Sequence, residues 1–322
     1  MITSINYKDV NGMVEYLRDV PFNVTLERLY DAATLYEGFN PDADNMAQSY
    51  DGRVYEHYMA KGKHSEDVNE SLARTLHDHR VQVALNKFLK AHNMISFVGV
   101  MGGHATLRTD DAFRNIVMLS KRLTEEGFYM LSGGGPGAME ATHLGAWLAG
   151  RTAQEVDDAF AILEVAPSFK DKGWLVSAYQ VMRKYPQDKY ISLGIPTWLY
   201  GHEPTTPFAT HIAKFFNNSI REDVILTLAY GGIIYTQGSA GTMQEVFQDA
   251  VQNHYLSLGL SSPMIFMGTE FWTKEMPVYT LLEDMMRTGK YKNLLLKLTD
   301  EPDVIVDTLQ AFHRQNAHPI LL

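Results

Sequence analysis

Hydrophobic positions divide the chain into a helical N-terminal part and a longer part in which short apolar runs alternate with helical patterns. Before residue 93 no run alternates with the two-residue period of a strand. The clearest pattern there has the i, i+3, i+4 spacing of an amphipathic helix and comprises Val81, Ala84, Leu85, Phe88 and Leu89. We therefore expect a helical N-terminal segment over 1–92 and a second unit over 93–322.

From Met94 onward the apolar runs predict strands at 95–100, 128–132, 159–165, 190–195, 232–235, 264–267 and 294–298. Amphipathic patterns predict helices from Asp110 or Asp111 to Gly127, from the next loop to Gly150, over 277–287, and around Ile305 to Phe312. Strands that alternate with helices are typical of parallel sheets. The sequence thus predicts an α/β, Rossmann-like fold: a mostly parallel sheet of about six or seven strands flanked by helices.

Composition narrows the class of protein. The 322 residues are 45% hydrophobic and 20% charged, with a formal net charge of -10 and no cysteine. No Lys/Arg-rich stripe is present, so we expect no nucleic-acid partner. The absence of cysteine excludes disulfides and thiolate catalysis. No apolar run approaches the length of a membrane span and the N-terminus has no export pattern, so we expect a cytoplasmic protein without a membrane partner.

Two loops of small residues each follow a predicted strand and precede a predicted helix. The first, with the start of its helix, contains Gly133, Gly134, Gly135, Gly137, Met139 and Glu140, and the second contains Gly238, Ser239, Ala240, Gly241 and Thr242. Strand C-termini of a parallel sheet meet at one edge, so both loops converge there with Gly102 and Gly103. Exposed backbone N–H groups at a helix N-terminus bind phosphate. These residues predict a site for a phosphorylated small molecule, although either loop alone is also compatible with an ordinary turn.

Other ligand classes fit the sequence less well. No Gly-x-Gly-x-x-Gly followed by an acidic residue is present, which disfavours NAD. His77 and His79 lie two residues apart, and such positions do not share a helix face, so we expect no metal there.

The prolines of segment 196–207 forbid a continuous helix and predict a wall beside the site. His104 and His202 lie in loops near the same edge, but neither is assigned a catalytic role.

The paired loops resemble the two signatures of the Lonely Guy (LOG) phosphoribohydrolases, a family long labelled "possible lysine decarboxylase". The matching stretches are 133–141 and 238–245, and the segment 203–207 with its preceding connection is more similar to the larger bacterial nucleotide 5'-monophosphate nucleosidases. The resemblance covers roughly residues 94–315. It implies hydrolysis of the N-glycosidic bond of a nucleoside 5'-monophosphate, without a metal or another cofactor, by a homodimer or a dimer of dimers.

The resemblance also implies residue roles. Glu245 occupies the position of the family's catalytic glutamate, and Arg221 matches its catalytic arginine. Glu245 also lies about one turn into the helix after the second loop, where a carboxylate beside a ribose stabilises positive charge on the sugar ring. The alternatives are a helix-packing role for Glu245 and a surface ion pair for Arg221.

The sequence departs from the family at several positions. Gln237 and Ser239 replace the proline and second glycine of the second signature, Gln244 replaces a frequent acidic residue, and the Met-His-x-Arg-Lys pattern is Ser219-Ile220-Arg221-Glu222 here. A non-enzymatic nucleotide sensor or carrier on the same fold therefore remains the competing hypothesis. Lysine decarboxylation is rejected, because none of Lys170, Lys172 and Lys214 has a recognisable context for a pyridoxal phosphate Schiff base.

Overall fold

The computed structural model describes residues 7–316. The expectations that rest on the first six residues, including the absence of an export signal, and those on residues 317–322 lie outside the described part of the chain. Within residues 7–316, no helix combines the length and the apolar character that crossing a membrane requires.

A parallel sheet of seven strands forms the centre of the molecule, which confirms the predicted fold class. The strands are β1 Phe97–Met101, β2 Tyr129–Ser132, β3 Ser192–Gly194, β4 His211–Ile212, β5 Gly232–Tyr235, β6 Pro263–Phe266 and β7 Leu295–Leu298. Their order across the sheet is β4-β3-β2-β1-β5-β6-β7. Strands β1 and β5 are adjacent and Met101 pairs with Tyr235, so the loops that follow these two strands start at the same height.

Helices cover both faces of the sheet and account for the two large buried clusters. They are α1 Tyr7–Asp19, α2 Ala32–Leu35, α3 Tyr50–Ala60, α4 Val68–Leu89, α5 Asp111–Glu125, α6 Ala138–Trp147, α7 Ala153–Leu163, α8 Trp174–Lys184, α9 Asn218–Thr227, α10 Ala240–Tyr255, α11 Val278–Arg287 and α12 Pro302–Gln315. The central strands β1 and β5 are short and fully buried, which is typical of parallel sheets covered on both faces.

The predicted strand at 159–165 is wrong, because most of this run is the end of helix α7. Thr152 and Glu155 form a capping box that starts the helix, and Val156, Ala159, Phe160 and Leu163 are buried on one face. The strand that completes the sheet is the two-residue β4, which is too short to produce a recognisable pattern. The predicted number of strands, about six or seven, is therefore right, but one of the strands was placed at the wrong position.

The N-terminal segment packs into the same core as the sheet. Leu85 and Leu89 of α4 belong to one buried cluster with Phe97 of β1 and Ile233 of β5. Phe216 lies two residues before the first residue of α9. It is buried in this cluster and stacks on Trp198. Phe215 is also buried, so both phenylalanines are core residues.

Asp78 fixes the N-terminal segment to the start of α9. Its carboxylate accepts hydrogen bonds from the backbone N–H groups of Phe216 at 2.9 Å and Asn217 at 2.8 Å, and His77 Nδ1 lies 2.9 Å from the same carboxylate. His77 is fully buried and its Nε2 lies 2.9 Å from the hydroxyl of Tyr30. These two residues thus position the helix that carries Arg221.

Candidate active site

Three loops meet at the C-terminal edge of the sheet, as the sequence predicts. The N–H of Gly103 donates to the carbonyl of Gln237 at 3.0 Å, and the N–H of Ala138 donates to the carbonyl of Gly103 at 3.0 Å. The β1 loop is thereby bonded to both glycine-rich loops. A Cβ on Gly102 would lie 1.9 Å from Thr236 Oγ1, so only glycine fits between these strands. Gly102 and Gly103 hold the loops together through packing and backbone bonds.

The first glycine-rich loop is buried and closely packed. Gly134 and Gly137 have φ values of 70° and 69°, which L-residues rarely adopt. The N–H of Gly134 donates to Ser132 Oγ at 3.1 Å, and its carbonyl accepts from Thr206 in the 196–207 wall. This loop therefore forms the floor of the site, and segment 196–207 covers one side of it.

The second loop is exposed and leads into the N-terminus of α10. The N–H groups of Ala240, Gly241 and Thr242 donate to no acceptor within residues 7–316. Ser239 has φ −120°, so serine at this position causes no backbone strain. Thr242 is buried with its hydroxyl against Gly238. The exposed N–H groups form an anion-binding arrangement at the positive end of a helix of 16 residues.

Arg221 reaches from α9 to the floor of the site. Its Nε donates to the carbonyl of Ile195 at 2.8 Å, directly after β3. A Cβ on Gly133 would lie 2.1 Å from Arg221 Nη2 and 2.6 Å from Met139 Sδ, so the guanidinium lies over the first loop beside Met139. No carboxylate lies within 4.0 Å of Arg221 among the described residues, which argues against the surface ion pair.

Glu245 is half-buried on α10 and faces the charge of Arg221. Burial raises the pKa of Glu245 to about 7, the positive charge of Arg221 lowers it, and the negative charge of Glu222 raises it. One turn further, burial raises the pKa of Asp249 to about 7, but Asp249 lies in the core and accepts a 2.7 Å hydrogen bond from the hydroxyl of Tyr235. Glu245 is thus the carboxyl group of α10 that combines a raised pKa with a place near the loops.

Two departures from the family signatures meet in one contact. Gln244 Nε2 donates to Glu222 Oε2 at 2.8 Å, so the residue after Arg221 and the residue before Glu245 are bonded to each other. An acidic residue at 244 would repel Glu222, whereas the amide donates to it. The contact holds α9 and α10 together where Arg221 and Glu245 face each other.

Glu140 lies in the fold away from solvent and makes a buried ion pair. Its carboxylate accepts from Arg108 Nε at 3.1 Å and Nη2 at 2.5 Å, and both side chains are about 1% exposed. The other guanidinium N–H groups donate to the carbonyls of Ala166 and Trp174 and to Ser177 Oγ. The structure therefore does not bring Glu140 together with Glu245 and Arg221, and sequence reasoning missed Arg108.

Glu203 is a further residue that sequence reasoning did not assign. Its Oε1 lies 3.7 Å from His104 Nδ1 and 3.7 Å from His202 Nε2, and its Oε2 would lie 3.9 Å from a Cβ on Gly135. The two histidines therefore lie near the first loop, as expected, with a carboxylate between them. The sequence signal was the run Gly201-His202-Glu203-Pro204 in the predicted wall.

The remaining candidates have structural partners. Lys214 is 1% exposed, and its Nζ donates to Asp51 at 2.6 Å and to Thr205 Oγ1 at 2.9 Å, which ties α3 to the wall. In the described part of the chain, no group of three or more His, Asp or Glu side chains is placed to hold a metal ion.

Comparison with known proteins identifies similar folds without a close relative. No protein-family model matches the chain, and no curated protein matches it. Among solved structures, the molybdenum cofactor binding protein from the phototrophic bacterium Rippkaea orientalis is 17% identical, with a TM-score of 0.40 over 67% of this chain and 95% of that chain. TM1055, a structural genomics target, is 17% identical, with a TM-score of 0.43 over 67% and 98%.

A third similar structure is the molybdenum cofactor carrier protein from Chlamydomonas reinhardtii. It is 15% identical, with a TM-score of 0.42 over 68% of this chain and 98% of that chain. With TM-scores below 0.5, these likenesses identify neither a ligand nor an activity for this chain.

Proposed function

We propose that the protein hydrolyses the N-glycosidic bond of nucleoside 5'-monophosphates and releases ribose 5-phosphate and the free base. The observation that carries this proposal is the arrangement on α10. Unused N–H groups lie at its N-terminus, and Glu245, with a pKa raised to about 7, lies one turn further along and faces Arg221. The N–H groups suit the phosphate of a nucleotide, and the carboxylate one turn further along suits the sugar that is attached to the phosphate.

The helix geometry sets the spacing between the two groups. Glu245 is three positions after Thr242, which corresponds to about 4.5 Å along a helix axis. A phosphate bound at the N–H groups of Ala240 to Thr242 thus places the attached ribose beside the Glu245 carboxylate. The base then extends toward the floor formed by the first loop, Met139 and Arg221.

In the proposed reaction the C1'–N bond breaks, water oxygen bonds to C1', and a proton goes to the departing base nitrogen. Positive charge develops on the ribose ring in the transition state. The ionised Glu245 stabilises that charge or accepts the proton of the attacking water, and a pKa of about 7 suits a general base at neutral pH. Arg221 stabilises the electron pair that moves onto the base.

The resemblance to the LOG family supports the same roles for Glu245 and Arg221. The departures at 222 and 244 are bonded to each other, and the departure at Ser239 preserves the backbone conformation and the N–H groups. These changes therefore leave the phosphate-binding and catalytic groups in place.

Incubation with AMP, GMP, CMP and UMP is expected to release free base, detected by chromatography. Adenosine is the matched control, because it carries the same base and sugar without the phosphate that the α10 N-terminus binds. We expect its kcat/KM to be about 10²-fold or more below that of AMP, since the phosphate contacts orient the sugar. Nucleotide binding without base release would favour the sensor or carrier, and equal rates for AMP and adenosine would exclude the phosphate site.

The pH dependence of base release follows from the raised pKa of Glu245. The reaction needs the carboxylate, so kcat/KM is expected to rise with pH to a plateau above about 7. Glu222→Gln removes the negative charge that raises this pKa, so the midpoint of the profile is expected to move to lower pH. Glu283→Gln, on exposed α11, is the control and should leave the midpoint unchanged. A midpoint that stays fixed in Glu222→Gln would show that another group titrates.

A further inference from the structure

A cavity of about 820 Å³ lies between the N-terminal segment and the start of α9. Its polar lining comes from both sides and includes Lys63, His64, Arg74, His79, Asn218 and Ser219. None of the residues of the three active-site loops lines it. Its volume lies within the range of small-molecule sites. The cavity is therefore separate from the candidate active site, with which it shares helix α9 and, through Leu199, the 196–207 wall.

Arg74 is a buried cation with an unused donor at this cavity. It is 7% exposed, its Nε donates to Glu70 at 2.6 Å, and its Nη1 donates to the carbonyl of Gly62 at 2.9 Å. Its Nη2 is buried and has no hydrogen-bond partner among the described residues. Buried polar groups without partners are rare in folded proteins, and each one costs stability unless a ligand or water satisfies it.

The charges around the cavity favour an anion. Lys63 carries a positive charge at its rim, where His64 and His79 are exposed and can donate hydrogen bonds from their rings, although the whole chain has a formal charge of -10. Asp78 also lines the cavity, but its carboxylate already accepts from the N–H groups of Phe216 and Asn217. The positive end of the α9 dipole adds to the attraction.

The rest of the lining is apolar and aromatic. Tyr58, Leu199 and Phe216 contribute to the wall, so the cavity offers more than a site for a bare ion. Arg74 lies over the ring of Tyr58, with its Cζ 4.4 Å from the ring centroid. Basic groups beside aromatic and aliphatic surface fit an organic anion that carries a ring or an alkyl part.

We propose that this cavity binds a second small molecule, an organic phosphate or carboxylate with an apolar part. The proposed ligand lies against Ser219, which is two residues before Arg221 on the same helix. The proposal concerns a site outside the glycine-rich loops and does not depend on the hydrolase activity.

Calorimetric titration with phenyl phosphate and, separately, with benzoate tests the site and distinguishes the phosphate from the carboxylate. Ser219→Glu places a carboxylate in the cavity at the second position of α9. Gln154→Glu is the matched control, because Gln154 is exposed at the second position of α7 and lines no described cavity. An acidic residue is favourable in the first turn of either helix, so both variants should fold. Gly241→Glu blocks the α10 site, where a Cβ meets no atom within 4 Å.

We expect at least one probe to bind at the cavity with similar affinity in Gly241→Glu and in the double variant Gly241→Glu with Gln154→Glu. Ser219→Glu in the Gly241→Glu background should weaken that binding about tenfold or more, because like charges repel at short distance. Equal affinity with and without Ser219→Glu would overturn the proposal. Binding of neither probe to Gly241→Glu at millimolar concentration would overturn it as well. Base release from AMP is assayed separately, so failure of the hydrolase proposal is distinguishable from failure of this one.

Discussion

Replacement of Glu245 by glutamine is expected to lower kcat for base release from AMP about 10²–10³-fold and to leave the Kd for AMP nearly unchanged. In the proposed mechanism the carboxylate stabilises charge that exists only in the transition state, so its loss affects turnover more than affinity. In the proposed binding mode nucleotide affinity rests on the N–H groups of Ala240 to Thr242, which this substitution does not alter. Steady-state kinetics and calorimetry of AMP binding measure the two quantities.

Stability provides an independent check on the role of Glu245. The pKa in the folded protein is raised from 4.5 to about 7, so the stability associated with the protonated carboxyl is present below about 4.5 and is lost as pH rises through 7. Glutamine does not titrate, and Glu245→Gln should therefore melt at an equal or higher temperature at pH 8. A lower melting temperature with unchanged turnover would identify Glu245 as structural.

Replacement of Arg108 by methionine is expected to lower the free energy of unfolding by about 3–5 kcal/mol, because it leaves the buried Glu140 carboxylate without its cation. The change also leaves the carbonyls of Ala166 and Trp174 without these donors. Denaturant unfolding followed by circular dichroism measures the loss. The double variant Arg108→Met with Glu140→Gln removes the uncompensated charge and should recover part of the stability.

Arg122→Met is the control for this experiment. Arg122 pairs with Asp303 on the surface, with 41% and 83% of the two side chains exposed, and exposed pairs of this kind contribute little to stability. A loss in Arg108→Met no larger than that in Arg122→Met would contradict the structural role of the buried pair. Recovery in the double variant would also show that Glu140 does not have to be charged for the chain to fold.

Sequence reasoning predicted the edge of the sheet at which the loops meet, because its signals are local. Small residues after an apolar run identify a strand, a turn and a helix start, and parallel strands then require the loops at 133–137 and 238–242 to meet. The same local reasoning failed at 159–165, where an apolar run of this length is compatible with either a strand or the end of a buried helix. The capping box at Thr152 and Glu155 was the signal that would have decided between them.

Local sequence patterns do not predict contacts between distant parts of the chain. Arg108 and Glu140 are 32 residues apart, and Asp78 and Phe216 are 138 residues apart. The helical residues Glu140 and Asp78 do not reveal their partners in the sequence, because a charged side chain on a helix is usually solvated. The N-terminal segment therefore had no assigned role from its sequence, whereas the structure shows that it holds the start of α9.

The hydrogen bond between Gln244 and Glu222 bears on how such signatures are compared. Compared with the LOG signatures one position at a time, Glu222 in place of a lysine and Gln244 in place of an acidic residue are two independent mismatches. In this chain the two side chains are neighbours in space and form one pair of acceptor and amide donor. A substitution at either position is therefore to be judged together with the residue at the other, and not as a mismatch by itself.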